Sequence, residues 1–219
     1  MNILITGGAG FIGINLTQHL LSNNNVTIFD NFSRSGSKEN LFWIKNQSFN
    51  SKLKIIDGDV KNFSLLVESI KNIDIIYHLA GQVAVTSSLI NPNNDMENNL
   101  FGTFNVLEAI RQSKNNPALI FTSTNKVYGT LKNLNFIENK NRYICTDMPN
   151  GISEDQSLDF FSPYGCSKGA ADQYVYDYSR TYGLRTVVFR MSCIYGPRQF
   201  GTTHQGWLSH FIRSIINNQ

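Results

Sequence analysis

Ile3-Leu4-Ile5-Thr6-Gly7-Gly8-Ala9-Gly10-Phe11-Ile12-Gly13 decides how the chain begins to fold. A short apolar run ends in glycines spaced three residues apart, and Phe11 opens a helical pattern that continues to residue 22. This is the strand-turn-helix setting that a dinucleotide site requires. Gly7 permits the tight turn, Gly10 lets the backbone approach a pyrophosphate, and Gly13 lets the helix pack closely on the strand. The helix amino terminus then attracts the anion. A glycine-rich turn alone also describes a tight loop without ligand, so the rest of the chain has to decide.

The second apolar run, Val26-Thr27-Ile28-Phe29, ends in Asp30. A carboxylate at that distance accepts hydrogen bonds from an adenine ribose and repels a 2'-phosphate, so NAD is expected rather than NADP. Arg34 and Lys38 follow closely and read as solvated loop charges. Runs at 2–6, 26–29, 53–56, 74–79, 118–123 and 184–190 read as strands, with helical patterns at 11–22, 62–71, 92–114 and 163–182 between them. That alternation predicts an α/β fold, a Rossmann-type doubly wound parallel sheet with helices on both faces. Asn91-Pro92 suits a helix entrance, because asparagine caps orphan amides and proline gives up no needed donor. Asp59-Val60 and Leu79-Ala80-Gly81-Gln82 follow the third and fourth strands, where open parallel sheets bind ligands. The stretch from Gly129 to Phe161 is long for a connection and is expected to cover a site.

With 219 residues, 41% of them hydrophobic, the chain can build one good-sized core. Its formal charge of +3 is spread without a basic block, which argues against nucleic acid as a partner. Cys145, Cys166 and Cys193 form no C-x-x-C pair and have no histidine at ligand spacing, so no metal is expected and a reducing compartment fits. No stretch reaches membrane-spanning length, and Met1 leads directly into the first strand, so a cytoplasmic protein without a membrane partner is expected.

Tyr164-Gly165-Cys166-Ser167-Lys168 sets a tyrosine and a lysine four apart, on one helix face. Free tyrosine titrates near pH ~10 and is a poor base at neutrality, whereas a neighbouring ammonium draws the phenol toward the working pH. Tyr-x-x-x-Lys alone is a common surface pair. Here, however, Phe121-Thr122-Ser123-Thr124 ends the fifth strand and can bring a hydroxyl, Thr124, to the same sheet edge. Thr124, Tyr164 and Lys168 are therefore the candidate catalytic residues.

The glycine turn, Asp30, Asn99 in Asn99-Leu100-Phe101-Gly102-Thr103, the strand-end hydroxyls, Tyr164/Lys168 and Arg190-Met191-Ser192-Cys193-Ile194-Tyr195-Gly196-Pro197 together resemble the extended short-chain dehydrogenases/reductases, over essentially the whole chain. The resemblance implies that Gly7, Gly10, Phe11, Ile12, Gly13, Asp30, Asn31, Ser33, Arg34, Asp59, Val60, Leu79, Ala80, Gly81, Asn99, Thr122, Tyr164 and Lys168 bind NAD. It implies substrate contacts from Gln82, Ser123, Thr124, Asn125, Cys193, Arg198 and Gln199. Residues 1–190 would form the NAD-binding domain carrying Tyr164 and Lys168, and 191–219 the start of a substrate region that in this family continues much further and is largely missing here.

Sugar-nucleotide 4,6-dehydratases of this class carry an Asp-Glu pair directly after the strand-end threonine, to give and take protons while water is lost. This chain has Asn125-Lys126, which cannot do so. Ser123-Thr124-Asn125-Lys126-Val127-Tyr128-Gly129, Leu79-Ala80-Gly81-Gln82-Val83-Ala84, Tyr143-Ile144-Cys145-Thr146-Asp147-Met148-Pro149-Asn150-Gly151 and Arg198-Gln199-Phe200-Gly201 look like the CDP-paratose 2-epimerases. Many relatives have asparagine where Cys193 stands; the 2-epimerases also depart there, and Cys193 also reads as a small buried residue. The resemblance implies inversion at C2 of a CDP-3,6-dideoxyhexose, CDP-paratose to CDP-tyvelose, by transient oxidation and re-reduction. Two alternatives stay open, a related enzyme such as a UDP-hexose 4-epimerase and an NAD-binding module without turnover. Helices 92–114 and 163–182 correspond to those through which family members often dimerise, although apolar helix faces also serve the core.

Overall fold

The computed structural model describes residues 1–47 and 50–218; Ser48, Phe49 and Gln219, which fall within the two expected domains, lie outside the described residues. Six strands, β1 (Asn2–Thr6), β2 (Asn25–Asp30), β3 (Leu53–Asp57), β4 (Ile75–His78), β5 (Ala118–Thr124) and a late strand Thr186–Met191, form one parallel sheet. Their spatial order is β3-β2-β1-β4-β5 and then the late strand, with the order reversing beside β1, as in dinucleotide-binding sheets. All six expected strands are present, with ends shifted by no more than two residues. Alternation along β1 divides the core. Ile3 and Ile5 pack with Ile14, Leu21, Ile28 and Ile44 on one face, whereas Leu4 packs with Leu66, Ile76, Val106, Leu107 and Phe121 on the other.

The first face is covered by α1 (Phe11–Leu20) and by α2 (Ser37–Lys45), a helix with no counterpart in the sequence reading. The other face is covered by α3 (Phe63–Ser69), which Asn62 caps by accepting from Leu65 N at 3.1 Å. Next comes α4 (Val85–Ile90), also unexpected, then α5 (Pro92–Asp95). Asn91 accepts from Asn94 N at 3.3 Å and Pro92 occupies the first turn, so α5 starts where the dipeptide indicated. A π-helical turn, Met96–Phe101, joins it to α6 (Gly102–Gln112), so the expected helix 92–114 is one rod with a widened turn.

The segment 129–161 does not cover the sheet's ligand edge. It carries an antiparallel hairpin, β6 (Phe136–Asn139) and β7 (Arg142–Cys145), whose Phe136, Ile137 and Tyr143 are exposed. Its end returns to the body, where Asp159 N donates to Val127 O at 3.0 Å and the Phe160 ring packs on Gly169. The long helix α7 (Ser162–Tyr182) follows and stops at Gly183, whose φ of 69° suits a residue without Cβ. It leads into the late strand, β8 (Thr186–Met191), and the chain ends in α8 (Trp207–Ile216). Among the described residues no helix is long and apolar enough to cross a membrane.

Candidate active site

A cleft of about 800 Å³ opens along the carboxyl ends of the parallel strands. At one end Gly7, Gly10 and Gly13 form its floor. Gly7 has φ +70°, and a Cβ on Gly13 would come within 2.6 Å of Gly8 Cα, so neither position accepts a side chain without backbone movement. Gly10 precedes the first turn of α1, and Phe11, Ile12 and Gly13 present that helix end to the cleft. A dinucleotide's pyrophosphate fits such a cradle, where orphan amides and the positive helix end meet an anion.

Asp30 ends β2 on the cleft wall. Its Oδ2 accepts from Ala9 N at 3.0 Å and its Oδ1 from Phe32 N at 2.8 Å, so it staples the glycine turn while keeping lone pairs for a ligand hydroxyl. Burial raises its pKa above the ordinary 3.8, and these two bonds oppose that rise. Asn31 Nδ2 donates to Asp59 Oδ2 at 3.0 Å, and Asn31 Oδ1 accepts from Ser33 Oγ at 2.7 Å. Arg34 is an exposed loop charge that also borders the cleft, and its Nη2 donates to Gln205 Oε1 at 2.8 Å. Val60, Leu79, Ala80 and Gly81 complete this half.

Thr122, Ser123 and Thr124 end β5 at the other half, facing Tyr164 and Lys168 from α7. Thr124 Oγ1 accepts from Lys126 N at 3.2 Å, capping the turn Asn125–Tyr128. Burial raises the Tyr164 phenol, the Thr124 hydroxyl beside it pulls it back, and the Asp95 carboxylate adds to the rise. Lys168 is 7% exposed, and its Nζ lies 4.3 Å from the centre of the Phe121 ring. Burial lowers Lys168 from 10.5 to about 7, against a rise from Asp172. In the protein alone the phenol is thus raised rather than drawn down as expected, because burial is the largest influence on it.

Asn99 lies behind the cleft and not on it. It is 1% exposed, its Oδ1 accepts from Gln82 N at 2.8 Å, and its Nδ2 donates to Ser167 Oγ at 3.0 Å, so it ties the turn after β4 to α7. Below it, His78 Nδ1 pairs with Thr6 Oγ1 at 2.6 Å and Nε2 with Thr103 Oγ1 at 3.0 Å. Thr103 Oγ1 donates its proton to Asn99 O at 2.6 Å, so it accepts from Nε2–H, and Nδ1 accepts from Thr6. Gln82 lines the cleft, with its amide turned onto Ala84 at 2.6 and 2.7 Å. Asn125 also lines it, and Cys193, exposed rather than buried, does too.

Arg198 and Gln199 do not reach the main cleft. They border a small separate hollow, where Arg198 stacks on Trp43 at 4.2 Å. Lys126, Met191, Ser192 and Ile194, which stand within the motifs but were given no binding role, also line the cleft, as do Lys61, Asn94, Asn98 and Gln205, to which the sequence reading gave no site role. Among the described residues no group of three His, Cys, Asp or Glu converges on a point where a metal could sit.

The family model described as GDP-mannose 4,6 dehydratase matches residues 4–219. A CDP-paratose 2-epimerase from Salmonella typhi is 48% identical over 219 residues, covering 99% of this chain and 64% of that protein. A UDP-N-acetylglucosamine 4-epimerase from Methanobrevibacter ruminantium M1, solved with UDP-N-acetylmuramic acid, is similar at TM-score 0.81 and 32% identity, over 100% of this chain and 63% of the other. A dTDP-glucose 4,6-dehydratase from Streptomyces venezuelae, solved with NAD and TYD bound, is similar at TM-score 0.82 and 26% identity, again over 100% and 63%. The chain thus spans slightly less than two thirds of the length of these relatives.

Proposed function

We propose, for a chain that belongs to the GDP-mannose 4,6-dehydratase family of extended short-chain dehydrogenases/reductases, that it is an NAD-dependent sugar-nucleotide epimerase inverting C2 of a CDP-3,6-dideoxyhexose, CDP-paratose to CDP-tyvelose. One observation carries this reading. The end of the cleft opposite the glycine turn is lined by Gln82, Ser123, Thr124, Asn125, Lys126, Tyr164 and Lys168, with no carboxylate on that wall among the described residues. Loss of water needs a separate acid and base, whereas inversion through a ketone returns the proton it removes, and one phenol can serve both directions. The 48% identity to a CDP-paratose 2-epimerase supports the nucleotide and the sugar.

NAD, when bound, supplies a reversible hydride acceptor. Gly7, Gly10 and Gly13 would hold its pyrophosphate, Asp30 its adenine ribose, and Lys168 its nicotinamide ribose. Tyr164 takes the proton of the C2 hydroxyl at its phenolic oxygen and returns it after the sugar has turned its other face. Thr124 holds the same sugar oxygen by a hydrogen bond, and Lys168 supports the phenolate. The Phe104, Tyr174 and Tyr182 side chains, between 36% and 52% exposed on adjoining faces of α6 and α7, support a homodimer through these two helices.

Proton NMR of CDP-tyvelose with the purified protein and stoichiometric NAD tests the reading through the anomeric signal. Conversion to CDP-paratose, lost in Tyr164→Phe with NAD binding retained, is expected. Turnover by Tyr164→Phe at the wild-type rate would remove the phenol from the mechanism. Turnover of a UDP-hexose in place of the CDP-sugar would move the assignment to a 4-epimerase. No conversion of either sugar nucleotide with NAD bound would move the reading of an NAD-binding module without turnover to the front.

A further inference from the structure

Tyr164, Lys168 and Asp172 follow one another at four-residue steps on α7 and so share a face. Helical side chains lean toward the amino terminus, which aims the Asp172 carboxylate at the turn carrying Lys168. Asp172 is 1% exposed, and both its oxygens are engaged by Arg190 of β8, Nε to Oδ2 at 3.0 Å and Nη2 to Oδ1 at 2.9 Å. The remaining arm, Nη1, donates to Tyr128 Oη at 2.9 Å, in the turn that also presents Asn125 and Lys126 to the cleft. β8 pairs with β5 so that Arg190 lies opposite Ser123 and Met191 opposite Thr124. One half-buried guanidinium on a buried carboxylate therefore bolts α7, β8 and the turn after β5 together, beside Thr124, Tyr164 and Lys168.

From this geometry we propose that Asp172 and Arg190 are positioning residues for the Tyr164–Lys168 pair, holding α7 in register with β5 and setting the charge that Lys168 carries. This rests on the reading of Tyr164 and Lys168 as the reacting pair. Lys168 forms no salt bridge among the described residues; an arene face holds its ammonium. The charged or titratable groups that act on the pair are Asp172 on α7 itself, with Arg190 of β8 bound to it, Asp95 at the end of α5 and the buried His78 on β4. His78 is neutral, its pKa lowered to about 3 by burial and by Lys168. Asp95 acts on the phenol, and Asp172 is the group that favours the charged form of Lys168. Arg190, by occupying both carboxylate oxygens, limits that support, so the lysine feels a partly neutralised pair rather than a bare anion.

A purely mechanical brace and an electrostatic one make different predictions for two substitutions that break the same bond. Asp172→Asn removes the anion that supports the Lys168 charge and leaves a half-buried cation unpaired, while Arg190→Gln leaves a buried anion. The test is NMR titration of protein labelled with 13Cε-lysine, with the Lys168 signal identified by its loss in Lys168→Gln. The midpoint of Lys168 is expected to fall by about 1 pH unit or more in Asp172→Asn and to rise by about 1 in Arg190→Gln. The double variant Asp172→Asn/Arg190→Gln, neutral at both positions, is expected between them, and it keeps a test available if one unpaired charge prevents folding. Shifts of both single variants in the same direction, or a double variant displaced as far as Asp172→Asn, would overturn the proposal. The titration needs no turnover. The expected order in a chain that turns nothing over keeps the ion pair's role and removes the enzymatic reading, while the wrong order in an active chain does the reverse.

Discussion

Replacing Lys168 by methionine should make the unliganded chain more stable at neutral pH. The side chain is 7% exposed, and burial lowers its pKa from 10.5 to about 7. The unfolded chain therefore binds a proton more readily than the folded one between these values, and stability rises with pH across that window. At about 1.4 kcal/mol for each pH unit between the two midpoints, carrying a protonatable amine here costs the fold about 4 kcal/mol at pH 7. Methionine keeps most of the stem packed against Phe121 and retains a sulfur–ring contact, while the lost cation–ring attraction offsets about 1 kcal/mol of the gain. Urea unfolding followed by the fluorescence of Trp43 and Trp207 should give a variant more stable by about 2–4 kcal/mol at pH 7, with the gap narrowing toward pH 10. A methionine variant less stable than the parent at pH 7, or a gap independent of pH, would refute the claim that desolvation dominates at this lysine. Such a gain in stability accompanied by loss of turnover is the trade that reactive sites commonly impose.

Three further outcomes follow from the same structure. Gly13→Ala should abolish NAD binding in calorimetry and destabilise the chain by about 2–4 kcal/mol, because its methyl would collide with the Gly7 carbonyl and come within 2.6 Å of Gly8 Cα, both backbone. His78 has its pKa lowered from 6.5 to about 3, so its contribution is complete above 6.5 and is lost as pH falls toward 3, by about 1.4 kcal/mol per pH unit. His78→Gln should flatten that part of the acid-unfolding profile, and an unchanged slope would show that the imidazole protonates in place. Phe104→Asp, on the exposed aromatic face of α6 beside Tyr174, should convert the proposed dimer to a monomer in sedimentation; an unaffected dimer would move the interface elsewhere.

The inner strands were legible because burial on both faces leaves short, near-continuous apolar runs, the edge strands β3 and β8 by their apolar content despite partial exposure, and the glycine turn indicated which end of the sheet would bind. The elements that escaped are those that burial marks weakly. In α2 the apolar residues Leu41, Phe42, Trp43 and Ile44 stand in one run at its end instead of recurring at helical spacing, so no period shows in the sequence. α4 spans six residues, too few to display a period. The hairpin of β6 and β7 exposes Phe136 and Ile137 in succession, without the alternation that a one-sided core imposes. Chain length alone made residues 129–161 look like a cover for the site. None of residues 129–161 lines the cleft, since their end is anchored at Val127 and Gly169, behind the turn.

The chemistry of the site divides in the same way. Spacing along one helix puts Tyr164, Lys168 and Asp172 on a common face, and that much is written in the sequence. Whether the lysine lowers the phenol or burial raises it depends on desolvation, which no local pattern records. In the folded chain, burial raises Tyr164 and lowers Lys168 together, so each resists the charge that the reaction needs. Thr124 opposes the first effect and Asp172 the second, and they reach the pair from different elements, the end of β5 and a later turn of α7. Arg190 joins those elements only because β8 pairs with β5 in a register that sets it opposite Ser123. Motif spacing therefore marks out the proposed reacting groups, whereas the sheet register that brings Arg190 to Asp172 is, on the proposal above, what tunes how readily they ionise, and substitutions at either residue should alter the pH dependence of the site without touching a ligand.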